Sequence, residues 1–335
     1  MYINYIYICI YRKSSNAIFK KEGFAVSSKC IKKIPTGEAL TIIIDPKDLE
    51  IGDFIGSGAS GSVHLATYKP TNTVIAVKSI NLYDKSTRKQ FKNDLNVLSD
   101  NKCPNLIRFY GAFFSERNVK ILLEYMNLGS LNGVIEMIQK KNLTMPCLPE
   151  GILSQIVYQI VQGVCYLHKA KHQIHRDIKP ANILLNTDGV VKLSDFGISR
   201  ALENTADFSH TFVGSRNFMS PERISGNDYS YPSDIWSIGL VVYMLATGKY
   251  PYGDGNDFLE QITKIVEGEE PKLPCGIFSD ELIDFVARCL QKDQGKRASI
   301  KELEEHIWIK KYNGPNQQNN LPEWFAELFD YMILD

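Results

Sequence analysis

The sequence predicts an α+β protein of two lobes, a small antiparallel β-rich lobe with one helix followed by a larger, mainly helical lobe. Three observations predict it. Short β-rich runs at 49–55, 62–68 and 74–80 are separated by turn residues. After Asn127-Leu128-Gly129 the apolar residues recur at helical spacing instead. The motifs that carry chemistry sit in the turns between these elements, and no internal repeat is present.

Residues 1–47 show no clear period and read as an extension, disordered or used for docking. Tyr2 to Tyr11 is almost wholly apolar and aromatic and precedes Arg12-Lys13. A membrane span needs ~20 apolar residues, so the run is too short. It also lacks the basic start and small-residue cleavage site of a signal peptide. A disordered start is therefore preferred to a membrane contact. Lys32-Lys33 with Leu40-x-Ile42 loosely fits a basic–hydrophobic docking motif, and a plain strand into the small lobe is the preferred alternative.

From Asp48 the three β-rich runs follow in order. Ser86 is a plausible N-cap for a helix carrying Phe91, Leu95 and Leu98 at helical spacing. Strand-like runs at 106–114 and 119–124 complete the small lobe. In 150–168, Ile152, Ile156, Ile160, Val164 and Leu167 form one apolar stripe, which suits a buried helix. Further helices are expected at 232–247, 257–267, 280–290 and 300–311. A polar stretch at 313–320 leads to an amphipathic segment with Trp324, Phe325, Leu328, Phe329 and Met332, expected as a docked helix.

Composition narrows the partners. In 335 residues, Lys+Arg and Asp+Glu are equal at 38 each, so no overall field favours nucleic acid or an acidic membrane surface. The seven cysteines are scattered and without a close pair, which fits neither a disulfide framework nor a zinc site. A reducing compartment follows, and a cytoplasmic location is expected.

Two stretches carry the chemistry: His175-Arg176-Asp177-Ile178-Lys179-Pro180-Ala181-Asn182, then Asp195-Phe196-Gly197. They supply one carboxylate that could accept a hydroxyl proton, and an amide and a second carboxylate that could hold magnesium. Such a set suits phosphoryl transfer from a nucleotide, where positioning and charge neutralisation dominate. Gly56-Ser57-Gly58-Ala59-Ser60-Gly61-Ser62-Val63 lies between two expected strands, and its glycines would let backbone N–H groups approach phosphates. A dinucleotide fold would need a helix directly afterwards, and here a strand follows. Lys78 closes Ile75-Ala76-Val77-Lys78 on the third strand.

Glycine loop, strand lysine, His-Arg-Asp and Asp-Phe-Gly occur in the order of the eukaryotic protein kinases, and residues 48–311 resemble that domain. The resemblance implies a bilobal kinase fold with lobes at 48–126 and 127–311, a tail at 312–335, and ATP and Mg2+ as cofactors. It implies that Lys78 steadies the α- and β-phosphates, that Asp177 orients the substrate hydroxyl, and that Asn182 and Asp195 bind magnesium. Lys179 resembles the γ-phosphate lysine of Ser/Thr-directed kinases. Leu123 resembles the gatekeeper, Glu124 and Met126 would offer backbone groups to adenine, and Val63, Ala76 and Leu184 would sandwich the base. Ile55 joins Gly56, Gly58 and Gly61 in that nucleotide-binding set. Glu222, in Ser220-Pro221-Glu222, is expected to pair with Arg297.

Phe212-Val213-Gly214-Ser215-Arg216-Asn217-Phe218-Met219-Ser220-Pro221-Glu222-Arg223 resembles the MAP kinase kinases, as do Phe109-Tyr110-Gly111-Ala112-Phe113 and Gly129-Ser130-Leu131. That resemblance implies phosphorylation of a Thr and a Tyr in the activation loop of a MAP kinase, and an upstream MAP kinase kinase kinase as activator. Thr205, Ser209 and Thr211 are the implied activation phosphosites, and phosphates there could pair with Arg176. The proline-rich insert of some animal members is missing, and Ser194 stands where several have Cys. One further departure concerns the lysine's partner. Where the family has a Glu, this chain has Asp94, shorter by roughly 1.5 Å. That change suggests a Lys78–Asp94 pair that forms only when the helix packs closer, and hence low basal activity. Two rivals remain at this point: an upstream kinase acting on Ser/Thr alone, and a weakly active scaffold with a kinase fold.

Overall fold

The computed structural model describes residues 19–21, 24–26, 31–33, 45–58, 61–81, 102–115, 118–140, 148–195, 217–253 and 258–333. They form two compact units, divided near 102–107 and at Tyr125–Met126. The expected helix at 86–98, with Asp94, and the whole segment from Phe196 to Arg216 lie outside the described residues.

The first unit opens with a meander of three short strands, β1 (Phe19–Lys21), β2 (Phe24–Val26) and β3 (Ile31–Lys33), paired antiparallel in sequence order. Strands of three residues are too short to show a period, so the meander was not legible from the pattern of side chains. Lys32 and Lys33 belong to β3, whereas Leu40 and Ile42 lie outside the described residues.

The main sheet has β4 (Leu49–Gly58), β5 (Gly61–Tyr68), β6 (Thr73–Asn81), β7 (Phe109–Ser115) and β8 (Asn118–Glu124), in the order β4-β5-β6-β8-β7. All of its pairings are antiparallel. Side chains alternate between faces, so register sorts them. Leu49, Ala66, Tyr68, Ile75, Val77, Phe113 and Leu122 make one buried cluster on one face. The other face carries the cross-strand pairs Val63↔Lys78 and Ala76↔Leu123. The core is thus spent on one side of the sheet, and the residues expected to meet a nucleotide share the other.

β7 begins at Phe109 rather than at 106. Leu106 instead bridges Leu193 in the second unit, where the Leu193 amide donates to the Asn105 carbonyl at 2.9 Å. A partner 87 positions away leaves no mark on local periodicity.

The second unit is built on helices. After β9 (Gly129–Ser130) come α1 (Leu131–Lys140) and α2 (Glu150–Cys165), which runs on as a wider turn through Ala170. The predicted stripe of α2 is buried, and so are Leu153, Val157 and Val161, so apolar packing surrounds most of the helix. β10 (Ile183–Leu185) and β11 (Val191–Leu193) pair in a small sheet with β9. The short helix α3 (Pro221–Ile224) precedes α4 (Tyr231–Thr247), which starts at a reciprocal Ser230–Ser233 cap and ends on Gly248 at φ +69°. Helices α5 (Phe258–Val266), α6 (Asp280–Cys289), α7 (Ile300–Glu304) and α8 (Ile307–Asn313) follow.

Packing around α4 leaves little slack. A Cβ on Gly239 would lie 2.6 Å from the Cys289 Cβ and 2.7 Å from a Leu290 methyl carbon. The tail helix α9 (Leu321–Ile333) buries Leu321, Phe325 and Leu328. Gln155 on α2 clamps the irregular segment before α9, donating to the Gln318 carbonyl at 2.8 Å and accepting from the Asn320 amide at 3.1 Å. Among the described residues no helix is long and apolar enough to cross a membrane.

Candidate active site

In the first unit, Lys78 is 4% exposed, in the middle of β6, with Val63 on one side of it and Ile121 on the other. Ala76 and Leu123, facing one another two positions along, are also buried. The glycine loop is the turn between β4 and β5, which stay paired as far as Gly58↔Gly61. Its glycines serve different ends. A Cβ on Gly61 would fall 1.8 Å from the Ser79 carbonyl oxygen, so β6 requires glycine there. A Cβ on Gly56 would meet nothing within 4 Å, so that stretch of backbone borders open space. Ile55, next to it, is 44% exposed. Glu124 is tied to Arg108 twice, its carboxylate accepting from the Arg108 amide at 3.2 Å and its own amide donating to the Arg108 carbonyl at 2.9 Å.

In the second unit the catalytic-loop residues converge. Asn182 gives both amide hydrogens to Asp177, one to the backbone carbonyl and one to Oδ2, each at 2.8 Å. Lys179 Nζ lies 2.9 Å from the same Oδ2. Among the described residues Oδ1 of Asp177 has no hydrogen-bond partner, and the side chain keeps 22% of its surface exposed. One oxygen of this carboxylate is therefore held and the other is presented. Ser194 fastens the second motif, donating from its amide at 2.9 Å and its hydroxyl at 3.1 Å to the Asn182 carbonyl. Asp195 follows at once in a left-handed conformation, φ +59°. Asp177, Lys179, Asn182 and Asp195 are thus brought to one place by contacts within 18 residues.

The loop is anchored from α4. Asp234 accepts from the His175 amide at 2.8 Å and the Arg176 amide at 2.9 Å, and pairs with His168 Nε2 at 2.8 Å. This grip sets Arg176 in its own left-handed conformation, φ +77°. His175 Nδ1 accepts from the Asp177 amide at 3.3 Å. His175 is fully buried, and burial pushes its pKa below the usual imidazole range against the pull of Asp234, Asp177 and Asp195. Neither His168 nor the anchoring role of Asp234 was visible in the sequence. The available signal was a carboxylate in the first turn of an otherwise apolar helix.

Glu222 and Arg297 meet as the motif suggested, Nη1 to Oε1 at 2.7 Å and Nη2 to Oε2 at 2.6 Å. Met126 and Leu184 both belong to the second unit, where the Leu128 amide donates to the Leu185 carbonyl at 3.1 Å. Thr205, Ser209 and Thr211 lie outside the described residues, as does Asp94.

The residues fit a nucleotide with a hard cation. Asn182 has committed its N–H groups to Asp177, so its carbonyl oxygen is the amide's remaining polar atom, and oxygen donors are what magnesium takes. Asp195, next in the chain to the Ser194 that bonds the Asn182 backbone carbonyl, adds a carboxylate.

Residues 49–309 match the family described as the protein kinase domain. Mitogen-activated protein kinase kinase 2 of Arabidopsis thaliana is 43% identical over 313 residues, covering 90% of this chain and 83% of its own. Mitogen-activated protein kinase kinase SIPKK of Nicotiana tabacum is 36% identical, with 90% and 85% covered. The chain belongs to the MAP kinase kinase family of protein kinases. A further member, dual specificity mitogen-activated protein kinase kinase dSOR1 of Drosophila melanogaster, is 36% identical, with 86% and 76% covered. Kinases of this fold use ATP and magnesium, and the likeness to plant, insect and amoebal MAP kinase kinases gives no support to the upstream-kinase or scaffold alternatives.

Proposed function

We propose that this kinase transfers the γ-phosphoryl group of magnesium-bound ATP to a Thr and a Tyr in the activation loop of a MAP kinase. The observation that carries the reading is the Asp177 carboxylate, with Oδ2 held by Lys179 and Asn182 and Oδ1 presented. Bound together, nucleotide and magnesium supply the phosphoryl group and neutralise its charge. Asp177 Oδ1 accepts the hydrogen bond of the acceptor hydroxyl and orients its lone pair. Lys179, already beside Asp177, places a positive charge where negative charge grows during transfer. Asn182 and Asp195 offer oxygen ligands to the cation, and Lys78 steadies the α- and β-phosphates. Val63, Ala76, Leu184, Leu123 and Ile55 enclose the base, the backbones of Glu124 and Met126 meet its edge, and the Gly56–Gly61 turn covers the phosphates.

Phosphorylation of Thr205, Ser209 and Thr211 by an upstream MAP kinase kinase kinase switches the enzyme on. A cytoplasmic site of action is supported by the dispersed cysteines, of which Cys103, Cys165, Cys275 and Cys289 are free thiols.

The test incubates the protein with a panel of inactive MAP kinases and scores phosphothreonine and phosphotyrosine separately. Both should appear on one substrate, and Asp177→Asn should lower transfer by about 10²- to 10⁴-fold with the fold intact. Phosphothreonine without phosphotyrosine would overturn dual specificity. Undiminished transfer in the Asn variant would overturn the role of Asp177.

A further inference from the structure

Asn182 and Asp195, whose oxygens suit magnesium, are joined by one hairpin. β10 leaves Asn182, and β11 leads through Ser194 into Asp195. The strands pair over three residues, from Ile183↔Leu193 to Leu185↔Val191. Three residues of strand measure about 10 Å, so the turn at 186–190 lies one short, stiff step from both ligands. A shift of that turn is passed to the ligand end.

Two elements grip the turn. Gln159 on α2 donates to the Gly189 carbonyl at 2.9 Å and accepts from the Val191 amide at 2.9 Å. Asn105 extends this grip along β11. Its side chain donates to Gln159 Oε1 at 2.9 Å and to the Val191 carbonyl at 3.1 Å, and its carbonyl accepts from the Leu193 amide. The second grip comes from the tail. Gly189 stands at φ +80°, and a Cβ there would lie 2.7 Å from Pro322 Cδ and 2.8 Å from its Cγ. The proline ring thus rests against the bare Cα of Gly189. Pro322 is in the first turn of α9, where its missing N–H costs nothing.

The tail is tied to α2 as well. Gln155, one helical turn before Gln159, holds the Gln318 carbonyl and the Asn320 amide, and Leu321 and Phe325 are buried. Glutamines at i and i+4 of one helix therefore hold the tail and the hairpin, and Pro322 against Gly189 closes the triangle.

We propose that the tail segment 318–322 braces the magnesium-binding hairpin, with Pro322 and Gln159 as positioning residues that keep Asn182 and Asp195 in place. The brace acts through backbone and touches no reacting atom. It rests on the reading that Asn182 and Asp195 hold the cation.

The experiment uses the full chain and measures ADP affinity by calorimetry, once with magnesium and once with EDTA. The ratio of the two affinities reports the cation site apart from the rest of the nucleotide site. Pro322→Ala and Gln155→Leu should each lower that ratio about tenfold, the lower end of what outer contacts of a metal site contribute, and leave the affinity in EDTA unchanged. Gln155→Glu, which keeps the acceptor for the Asn320 amide, should recover part of the loss. Amide exchange at Val191 and Leu193 should quicken about fivefold in the same variants, the effect of weakening one hydrogen bond. Glu327→Ala, at an exposed position of the same helix, should change neither reading. Thermal unfolding controls for misfolding, and Pro322→Ala carries the test if Gln155→Leu does not fold. Equal losses with magnesium and with EDTA overturn the proposal, as does a ratio that falls in Gln159→Leu but in neither tail variant. A wild type whose ADP affinity ignores magnesium overturns the cation reading, and amide exchange then still decides whether the tail braces the hairpin.

Discussion

Replacing Glu222 with Gln should lower the stability of the second unit by about 3–5 kcal/mol, the usual effect of stranding one partner of a buried ion pair. The estimate follows from how completely Arg297 is committed. Its side chain is fully buried, and Glu222 keeps only 7% of its side-chain surface. All five N–H donors are used: two on Glu222, and one each on the carbonyls of Gln291 at 2.6 Å, Pro232 at 3.1 Å and Lys292 at 3.1 Å. Gln keeps the shape and removes the charge, so the guanidinium stays buried without its counterion. For a unit of this size the loss corresponds to a fall in Tm on the order of 10 °C, read by differential scanning fluorimetry. Burial alone would raise the Glu222 pKa, but the Arg297 hydrogen bonds outweigh it and hold the carboxyl below its ordinary value of 4.5. Stability from the pair is therefore present above pH 4.5 and fades as pH falls through the depressed value, so the gap between wild type and variant should close in acid. Methionine at both 222 and 297 should not restore wild-type stability, because three carbonyls would lose their donor at about 1–3 kcal/mol each. A Tm change under about 3 °C for Glu222→Gln at neutral pH would refute the reasoning.

Gly239→Ala should destabilise by about 1–3 kcal/mol, because the new methyl would overlap Cys289 and Leu290; an unchanged denaturant midpoint would show that α4 and α6 can part without strain. His175 is buried neutral, so below pH 6.5 the unfolded chain binds a proton that the folded chain refuses, and stability falls with pH. The Tm advantage of wild type over His175→Phe should therefore shrink between pH 7 and pH 5. Asp94→Glu should raise basal, unphosphorylated turnover several-fold if the short carboxylate limits assembly, and equal turnover would end that idea.

Legibility in the sequence followed the range of the contacts. Runs at 62–68 and 74–80 were visible as β5 and β6 because each strand carries its own alternation. β4 extends three residues past Ile55 because its glycines continue the ladder, and a pattern built on side chains does not register them. The tail helix was legible as amphipathic, and its buried positions, Leu321, Phe325 and Leu328, are offset from the expected set by the Leu at its start. Asp177, Lys179, Asn182 and Asp195 were recognisable because one short segment holds them all. Asp234 and His168 were not: they act from 59 and 66 positions away, and each resembles an ordinary polar residue on its own helix.

α4 shows why those distant residues matter to the chemistry. Its core is apolar, with Ile235, Trp236, Ile238, Leu240, Val241 and Val242 all buried, so polar groups at its start need partners close by. Successive residues of a helix point about 100° apart, and Ser233 and Asp234 accordingly reach different segments. Ser233 meets Glu222, at the end of the activation segment, and Asp234 holds the amides that set the catalytic loop. Neither contact reaches a substrate, yet together they tie the loop that carries Asp177 and the buried carboxylate of Glu222 to one turn of one buried helix. A shift of that turn by even 1 Å would misplace both. Loss of the Asp234 carboxylate should therefore impair catalysis more than its distance from the reacting atoms suggests.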